Sequence, residues 1–455
     1  MADPWLELTV TRPSLRSPRP CALTLNPALP APPPPPSPIA NLPQELHDAI
    51  VDHCHADIPS LASCSAVCRA WLPASRYHIF ASVLLHPRNV AGFFLLIRSP
   101  FCTFRPYLTA LAVEQGPILS GPAASCEEFW FNYGFMSLAG FPSVRFLHIT
   151  HLGLLDRDIS TRLTASLRTN FSAVTDLGIK AARFSSFSQL ASVIAAFPNI
   201  ERLSLDGLYV KSRSIPQPDA TPPLLHLKTL VLTETCVTGI LNWLLAQRQL
   251  PPITTLHLTW RDSSKQPAVL NDFCTRLGSN LEHLHLDNVV AIDLSQNMAL
   301  RSLHIIRPDR LILGSDWITP LISSVSSREM ESLMIETDNL ITDINSVHWS
   351  SLDYTLSKPH FQTLQTIEVR TTSTSSELLQ KKLPNCESRR LLRFPGVSAV
   401  PLPFLDFLQP IGKPPAARPS ASSPILGEEH AWSSFSIMAC YASFTIAQYL
   451  LLSVI

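Results

Sequence analysis

The sequence predicts an α/β repeat fold, an irregular solenoid of parallel strands with outer helices, preceded by a small all-α module and flanked by disordered termini. A short apolar pattern recurs nine times between Val144 and Val369. Upstream of it, residues 41–80 carry apolar side chains at helical spacing. Proline is concentrated towards both ends of the chain, which contains 41 prolines against only 14 glycines.

Composition excludes several classes of protein. Apolar residues make up 46% of the chain, which rules out wholesale disorder. Lys and Arg total 35, as do Asp and Glu, so the basic surface expected of a nucleic-acid-binding protein is missing. The 10 cysteines of 455 residues do not form a disulfide framework, and MADPWLELTV lacks the features of a signal peptide. We therefore expect the protein to be located in the cytoplasm or the nucleus. The cysteines are expected to act as small apolar residues.

Residues 1–38 form a proline-rich segment that ends in ALPAPPPPPSP. Consecutive prolines lack backbone donors and favour polyproline II, so this segment cannot pack a core. The sequence predicts that it is disordered.

A module of three short helices is predicted next. Pro43 suits a first helical turn, where its missing N–H would have no partner. One helical stripe then follows at Leu46, Ala49, Ile50 and His53. A second helix is predicted from near Ser60, with a stripe at Leu61, Cys64, Ser65, Val67, Cys68 and Trp71. Pro73 is expected to end it, and Tyr77 with Phe80 indicates a third.

This stretch resembles the F-box, the adaptor-binding motif of SCF-type cullin–RING ubiquitin ligases, in the version common in mushroom-forming fungi. The resemblance covers residues 39–85 and is carried by LPQEL from Leu42 and CSAVCRAW from Cys64. One departure is Cys54, where the family usually has a larger aliphatic residue.

The resemblance implies that the module binds a Skp-family adaptor, and through it a cullin–RING ligase. The adaptor-binding residues implied are Leu42, Pro43, Leu46, Ile50, Leu61, Val67 and Trp71. Some of them would face the module's own core instead, and the sequence does not separate the two sets. A bundle this small usually needs a partner to be stable, which agrees with a docking role.

A metal site is the competing interpretation of the same stretch, because five potential ligands lie close together in sequence: His53, Cys54, His55, Cys64 and Cys68. Their spacing does not match the common zinc patterns. We therefore expect Cys64 and Cys68 to pack inward and predict neither a metal nor a cofactor.

Residues 86–140 are predicted to connect the module to the repeats, with a buried helix end at FFLLIRSPF. The repeats themselves, over residues 141–371, read VRFLHI, VTDLGI, IERLSL, LKTLVL, ITTLHL, LEHLHL, LRSLHI, MESLMI and LQTIEV. Their starts are 30, 26, 27, 26, 28, 19, 30 and 34 residues apart. The interval of 19 is too short for a full helix, so an extended loop is expected there.

The repeats resemble a degenerate leucine-rich-repeat array. The last two apolar positions of the pattern lie on either side of one outward-facing residue, as the alternation of a β-strand requires. Apolar runs between the strands, such as FSQLASVIAAF and TGILNWLLAQ, predict crossover helices. Chance recurrence in an apolar chain is the alternative interpretation.

The pattern also predicts a binding surface, because the outward residues of successive strands should stack about 5 Å apart. They are His148, Gly178, Ser204, Val231, His257, His285, His304, Met334 and Glu368. We hypothesise that His257, His285 and His304 form the substrate-binding face. The alternative is that they are only tolerated at solvent-exposed positions.

The C-terminal part divides into a Pro/Ser-rich irregular segment, residues 372–430, and an apolar segment, residues 431–455. Residues 435–455 contain no charge and are long enough to cross a bilayer. No basic cluster precedes them, so a membrane anchor and a buried or spurious C-terminus remain as alternatives.

Motifs for phosphate loops, dinucleotide binding, zinc proteases and serine hydrolases do not occur. The chain is therefore not expected to be an enzyme. With the F-box resemblance, the expected function is the substrate-recognition subunit of an SCF-type ligase, with the repeats binding a target protein. The alternative is a leucine-rich-repeat interaction scaffold with no ubiquitin-ligase role.

Overall fold

The computed structural model describes most of the chain between Leu42 and Phe394. The described ranges are residues 42–100, 102–115, 140–154, 157–212, 223–233, 237–260, 267–287, 292–306, 318–337, 348–371 and 376–394. The predicted disordered segment 1–38 and the apolar segment 431–455 lie outside them.

A sheet of 12 parallel strands dominates the structure. In spatial order the strands are β1 (Ser82–Leu85), β2 (Ala110–Glu114), β3 (Phe146–Thr150), β5 (Asp176–Lys180), β7 (Arg202–Asp206), β9 (Thr229–Thr233), β10 (Thr255–Thr259), β11 (His283–Asp287), β12 (Ser302–Ile306), β13 (Ser332–Thr337), β14 (Thr366–Thr371) and β15 (Leu392–Arg393). Each of the nine predicted repeats contributes one of these strands, so the predicted parallel α/β architecture is confirmed.

Three helices precede β1, and most neighbouring strands of the large sheet are connected by further helices. The helices are α1 (Gln44–Asp52), α2 (Ile58–Val67), α3 (Leu72–Phe80), α4 (Val90–Arg98), α5 (Arg157–Asn170), α6 (Phe187–Ile194), α7 (Val237–Ala246), α8 (Pro267–Leu277), α9 (Ile318–Ser324), α10 (Trp349–Leu356), α11 (Ser376–Lys382) and α12 (Pro384–Ser388). The helices predicted from FSQLASVIAAF and TGILNWLLAQ are thus present as α6 and α7. Between β11 and β12, the described residues 292–301 form turns and no helix, as the short interval predicts.

The core lies between the sheet and these helices. Alternate strand residues, such as Leu203, Leu230 and Leu284, are fully buried, and they pack in one continuous cluster with helix residues such as Leu241 and Phe273. A strand and its helix cannot cover this apolar face alone, so each unit depends on its neighbours for burial.

A recurrent turn enters seven of the strands. A backbone N–H donates to the carbonyl three residues earlier, with N–O distances of 3.2–3.4 Å, and in four of these turns the accepting residue is phenylalanine. The donor–acceptor pairs are Val144–Phe141, Val174–Phe171, Ile200–Phe197, Leu227–Leu224, Leu281–Gly278, Leu300–Asn297 and Leu364–Phe361. The repeat therefore begins three residues before the apolar pattern that identifies it in the sequence.

A second, three-stranded sheet branches from the first part of the array. Its strands are β4 (Gly153–Leu154), β6 (Arg183–Ser186) and β8 (Tyr209–Ser212). The residues that follow β3, β5 and β7, namely His151, Ala181 and Gly207, all have φ values between 50° and 62°. This left-handed geometry, which costs little only for glycine, turns the chain out of the large sheet at the same level in three successive repeats.

The all-α module joins the sheet directly. Helix α3 ends at Phe80 and β1 begins at Ser82, while the carbonyl of the intervening Ala81 accepts hydrogen bonds from the backbone of Thr109 and Ala110. The Phe80 ring stacks on Phe104, with centroids 4.4 Å apart. From Phe104 a series of aromatic contacts continues through Phe93 and Phe141 to Phe171.

The sheet extends beyond the array bounds expected from the sequence. Strand β1 lies at the end of the predicted module, residues 39–85, and helix α4 and strand β2 lie within the region predicted to be a connection, residues 86–140. At the other end, α11, α12 and β15 lie within residues 372–430, which were expected to be irregular. The apolar pattern misses these units because VLL and ALAV are shorter than the full repeat motif.

A buried carboxylate closes the C-terminal end of the array. Asp353 on α10 is 2% exposed and accepts hydrogen bonds from the backbone N–H groups of Asn385 and Cys386, both at 3.0 Å. It thereby caps α12, whose own preceding residue, Leu383, has no side-chain acceptor. Arg389 adds hydrogen bonds to the carbonyls of Leu356 and Phe361.

Replacing Asp353 by alanine should destabilise this end of the array by about 1–3 kcal/mol, because two buried donors lose their acceptor. Urea denaturation should show a lower midpoint for D353A. D353N, which keeps one carbonyl oxygen, should lie between D353A and the wild type. The exposed Asp272 supplies the control, and equal midpoints for D353A and D272A would contradict this role.

Candidate functional site

The all-α module exposes one apolar stripe on its first helix. Leu46 is 50% exposed and Ile50 41%, and both lie on the same face of α1 as the exposed Ala49. Leu42, one turn earlier, is also exposed. The opposite face of the helix is buried and consists of His47 and Val51. The stripe that indicates a helix in the sequence therefore faces solvent.

The structure sorts the seven implied adaptor-binding residues into two sets. The exposed set is Leu42, Pro43, Leu46, Ile50 and Val67, whose exposed fraction is 57%. Leu61 is fully buried and Trp71 is half-buried. Burial removes Leu61 from any direct contact with a partner and makes it a core residue of the module.

A polar pair holds the module's helices together. The indole N–H of Trp71 donates to Nδ1 of the buried His47, and the two rings meet edge to face with centroids 6.1 Å apart. The amide of Gln44 donates to the Ala70 carbonyl at 3.0 Å. The start of α1 therefore lies against the turn that follows Val67.

Two details of the predicted module are wrong. Helix α2 ends at Val67, before the extended Cys68, and Pro73 lies in the first turn of α3. The Cys68 side chain is therefore exposed, although the sequence suggested an inward position. Cys64 is half-buried beside Cys54, and burial together with this neighbouring thiol raises the pKa of the Cys64 thiol. Among the described residues, no three His, Cys, Asp or Glu side chains are arranged to hold a metal ion.

The second surface is the sheet face opposite the core, here called the ladder face. Its central row is made by residues at matching register on neighbouring strands: Leu84, Ala112, His148, Gly178, Ser204, Val231, His257, His285, His304, Met334, Glu368 and Arg393. All nine outward residues predicted from the sequence are in this row, in the predicted order.

The three candidate histidines touch one another. The rings of His257 and His285 stack with centroids 3.6 Å apart and an interplanar angle of 15°. The Nδ1 atoms of His285 and His304 are 3.0 Å apart, so one ring donates a hydrogen bond and the other accepts it. His304 also points its Nε2 towards a carboxylate oxygen of Glu336, 3.8 Å away.

This row is less accessible than an open sheet surface. His304 is only 6% exposed, so the alternative of a tolerated, solvent-exposed histidine does not apply to it. Burial lowers the pKa of His257 to about 4 and that of His285 to about 3, and the neighbouring histidines act in the same direction. Both imidazoles are therefore neutral at pH 7.

Close packing also explains a glycine in the row. The His148 ring lies over Gly178, where a Cβ atom would come within 2.4 Å of the His148 Nδ1. Burial lowers the pKa of His148 to about 4, with a further contribution from Lys180. The sequence signal for this contact is a small residue at the repeat position where the preceding repeat has a histidine. This signal can be recognised only once the register of the two strands is known.

A scan against models of known protein families finds no match for this chain, and a search of curated proteins finds none either. None of the described helices is long and apolar enough to span a membrane. The predicted anchor, residues 435–455, lies outside the described part of the chain.

The ladder histidines should make the protein sensitive to acid. Because the pKa values of His257 and His285 lie below about 6.5, the value expected in the unfolded chain, the unfolded state takes up protons that the folded state does not. Stability should therefore fall as the pH drops from about 7 towards 4, by about 1–2 kcal/mol per histidine at pH 5.

Urea midpoints at pH 7.5 and pH 5 measure this effect. The variant H257Q/H285Q should lose less stability on acidification than the wild type, whereas substitution of the exposed His226 by glutamine should leave the loss unchanged. The same loss in all three proteins would show that the ladder is not the acid-sensitive element.

Proposed function

We propose that this chain is the substrate-recognition subunit of an SCF-type cullin–RING ubiquitin ligase. The module of α1 to α3 acts as the F-box and binds a Skp-family adaptor. The strands that follow form an irregular leucine-rich-repeat array, whose ladder face binds the target protein. The chain contributes proximity between target and ligase and performs no chemistry itself.

The observation that carries the proposal is the exposed apolar stripe on α1. Leu46 and Ile50 point away from a module whose inner face is already filled by Val51, Leu61 and Phe80. Fully burying one such side chain is worth about 1.5–3 kcal/mol, so an uncovered stripe favours association. The F-box resemblance supports a Skp-family adaptor as the partner that covers it.

The joint between module and array supports the same role. Helix α3 continues into β1 with a single residue between them, and Phe80 packs into the aromatic series that enters the core of the array. An adaptor bound at α1 would therefore be held in a fixed relation to a target bound on the ladder face.

Co-purification with a Skp-family adaptor and its cullin tests the proposal. The variant L46D/I50D places two charges in the docking stripe and should weaken adaptor binding at least about tenfold, equivalent to about 1.4 kcal/mol. The fold should survive because both side chains are exposed.

Leu95 provides the matched control, since it is 72% exposed on α4 and outside the stripe. L95D should bind the adaptor as the wild type does. If the wild-type chain recovers no adaptor, or if L46D/I50D recovers as much as L95D, the ligase role is wrong, and a scaffold function is favoured.

A further inference from the structure

Two neighbouring regions of the ladder face differ in charge. On β5 and β7 the outward residues form ion pairs between neighbouring strands: Arg202 lies 3.5 Å from Asp176, and Lys180 lies 3.4 Å from Asp206. These pairs satisfy the charges of this region within the protein itself.

The region formed by β9 to β12 is almost free of charge. Each strand has three outward residues, and among these twelve positions Asp287 is the one Asp, Glu, Lys or Arg. The low pKa values of His257 and His285 keep both of these rings neutral at pH 7. The twelve are Thr229, Val231, Thr233, Thr255, His257, Thr259, His283, His285, Asp287, Ser302, His304 and Ile306. Hydroxyl and imidazole groups dominate this set.

Several of these groups have hydrogen-bonding capacity left for a ligand. Neither ring nitrogen of His257 makes a hydrogen bond to the described part of the protein, and His285 uses only its Nδ1 there. Thr255 and Thr259 are half-exposed on either side of His257 along the same strand. Together with the stacked rings, these two threonines form a strip of uncharged hydrogen-bond donors and acceptors. The strip extends about two residues to each side of the rings.

We expect such a strip to distinguish charged from uncharged side chains of a target. A Lys, Arg, Asp or Glu side chain laid across the stacked rings would lose water without meeting an opposite charge on His257 or His285, which disfavours its binding. An uncharged amide or hydroxyl group of the target would replace its hydrogen bonds to water by hydrogen bonds to the imidazole and threonine groups, at little cost in free energy.

We propose that β9 to β12 bind an extended target segment whose central residues are uncharged and polar, that is Ser, Thr, Asn or Gln. This inference rests on the proposed function, because it identifies the chemical class of the target that the ladder face presents to the ligase. Binding should depend little on ionic strength, since no ion pair forms between target and strip.

A library of random displayed peptides, selected on the full chain, tests the inference. The selected peptides should contain fewer charged and more Ser, Thr, Asn and Gln residues than the unselected library. Their affinity should change less than about threefold between about 0.05 and 0.5 M NaCl. H257A/H285A should weaken binding about tenfold, whereas K180A/R202A, in the charged region, should not.

A second variant keeps the test decisive if H257A/H285A does not fold. T255K/T259K changes two half-exposed side chains and adds positive charge to the strip, so it should lose the wild-type peptides and select acidic ones. Selection of charged peptides by the wild type, binding unaffected by T255K/T259K, or no selected peptide at all would each overturn the inference. Adaptor co-purification from the same preparations separates this failure from failure of the ligase proposal.

Discussion

The structure depends on the burial of aliphatic rows that no single strand and helix can cover. Leu203, Leu230 and Leu284 each fill one position of the same row, and each is sealed from water by the units on either side. Parallel pairing follows from this constraint, because the crossover helix must return the chain to the same edge before the next strand begins. Core burial also fixes the register of each strand relative to its neighbours. A shift by one residue would bring the histidine row into the core and expose the leucines, so the arrangement of the ladder face is a direct consequence of core burial.

The apolar rows are covered in different ways at the two ends of the array. At the N-terminal end the all-α module packs against the first strands, with Phe80 stacked on Phe104 and Ala81 bonded to the start of β2. At the C-terminal end, Asp353 and Arg389 satisfy the backbone groups of short helices that cover the last strands. The N-terminal end has a continuous apolar stripe uncovered on α1. At the C-terminal end the exposed large apolar side chains, Tyr354 on α10 and Leu378 on α11, are single residues on different helices. This asymmetry is the reason that we propose adaptor docking on the module and not at the distal end.

The sequence predicts the repeating part of the fold well, because a pattern of aliphatic residues reports burial directly. All nine predicted strands and the order of the central row are present. The strands β1, β2 and β15 escaped prediction because they are short or lack the first apolar position of the motif. The sorting of Leu61 and Leu46 could not be predicted, since both are leucines at helical spacing and only the packing of α3 decides which one is inside. The stack of His257 on His285 likewise needs the register of two strands, which lie 28 residues apart in the chain.

In the proposed complex the adaptor binds the module, and specifically α1. Amide hydrogen–deuterium exchange of the full chain, measured with and without a purified Skp-family adaptor, tests it most directly. Exchange should slow in residues 42–80, and most in α1, because burial of the stripe suppresses its local opening, while β9 to β12 should exchange as before. Unchanged exchange in α1, or slowing confined to the ladder strands, would contradict the account.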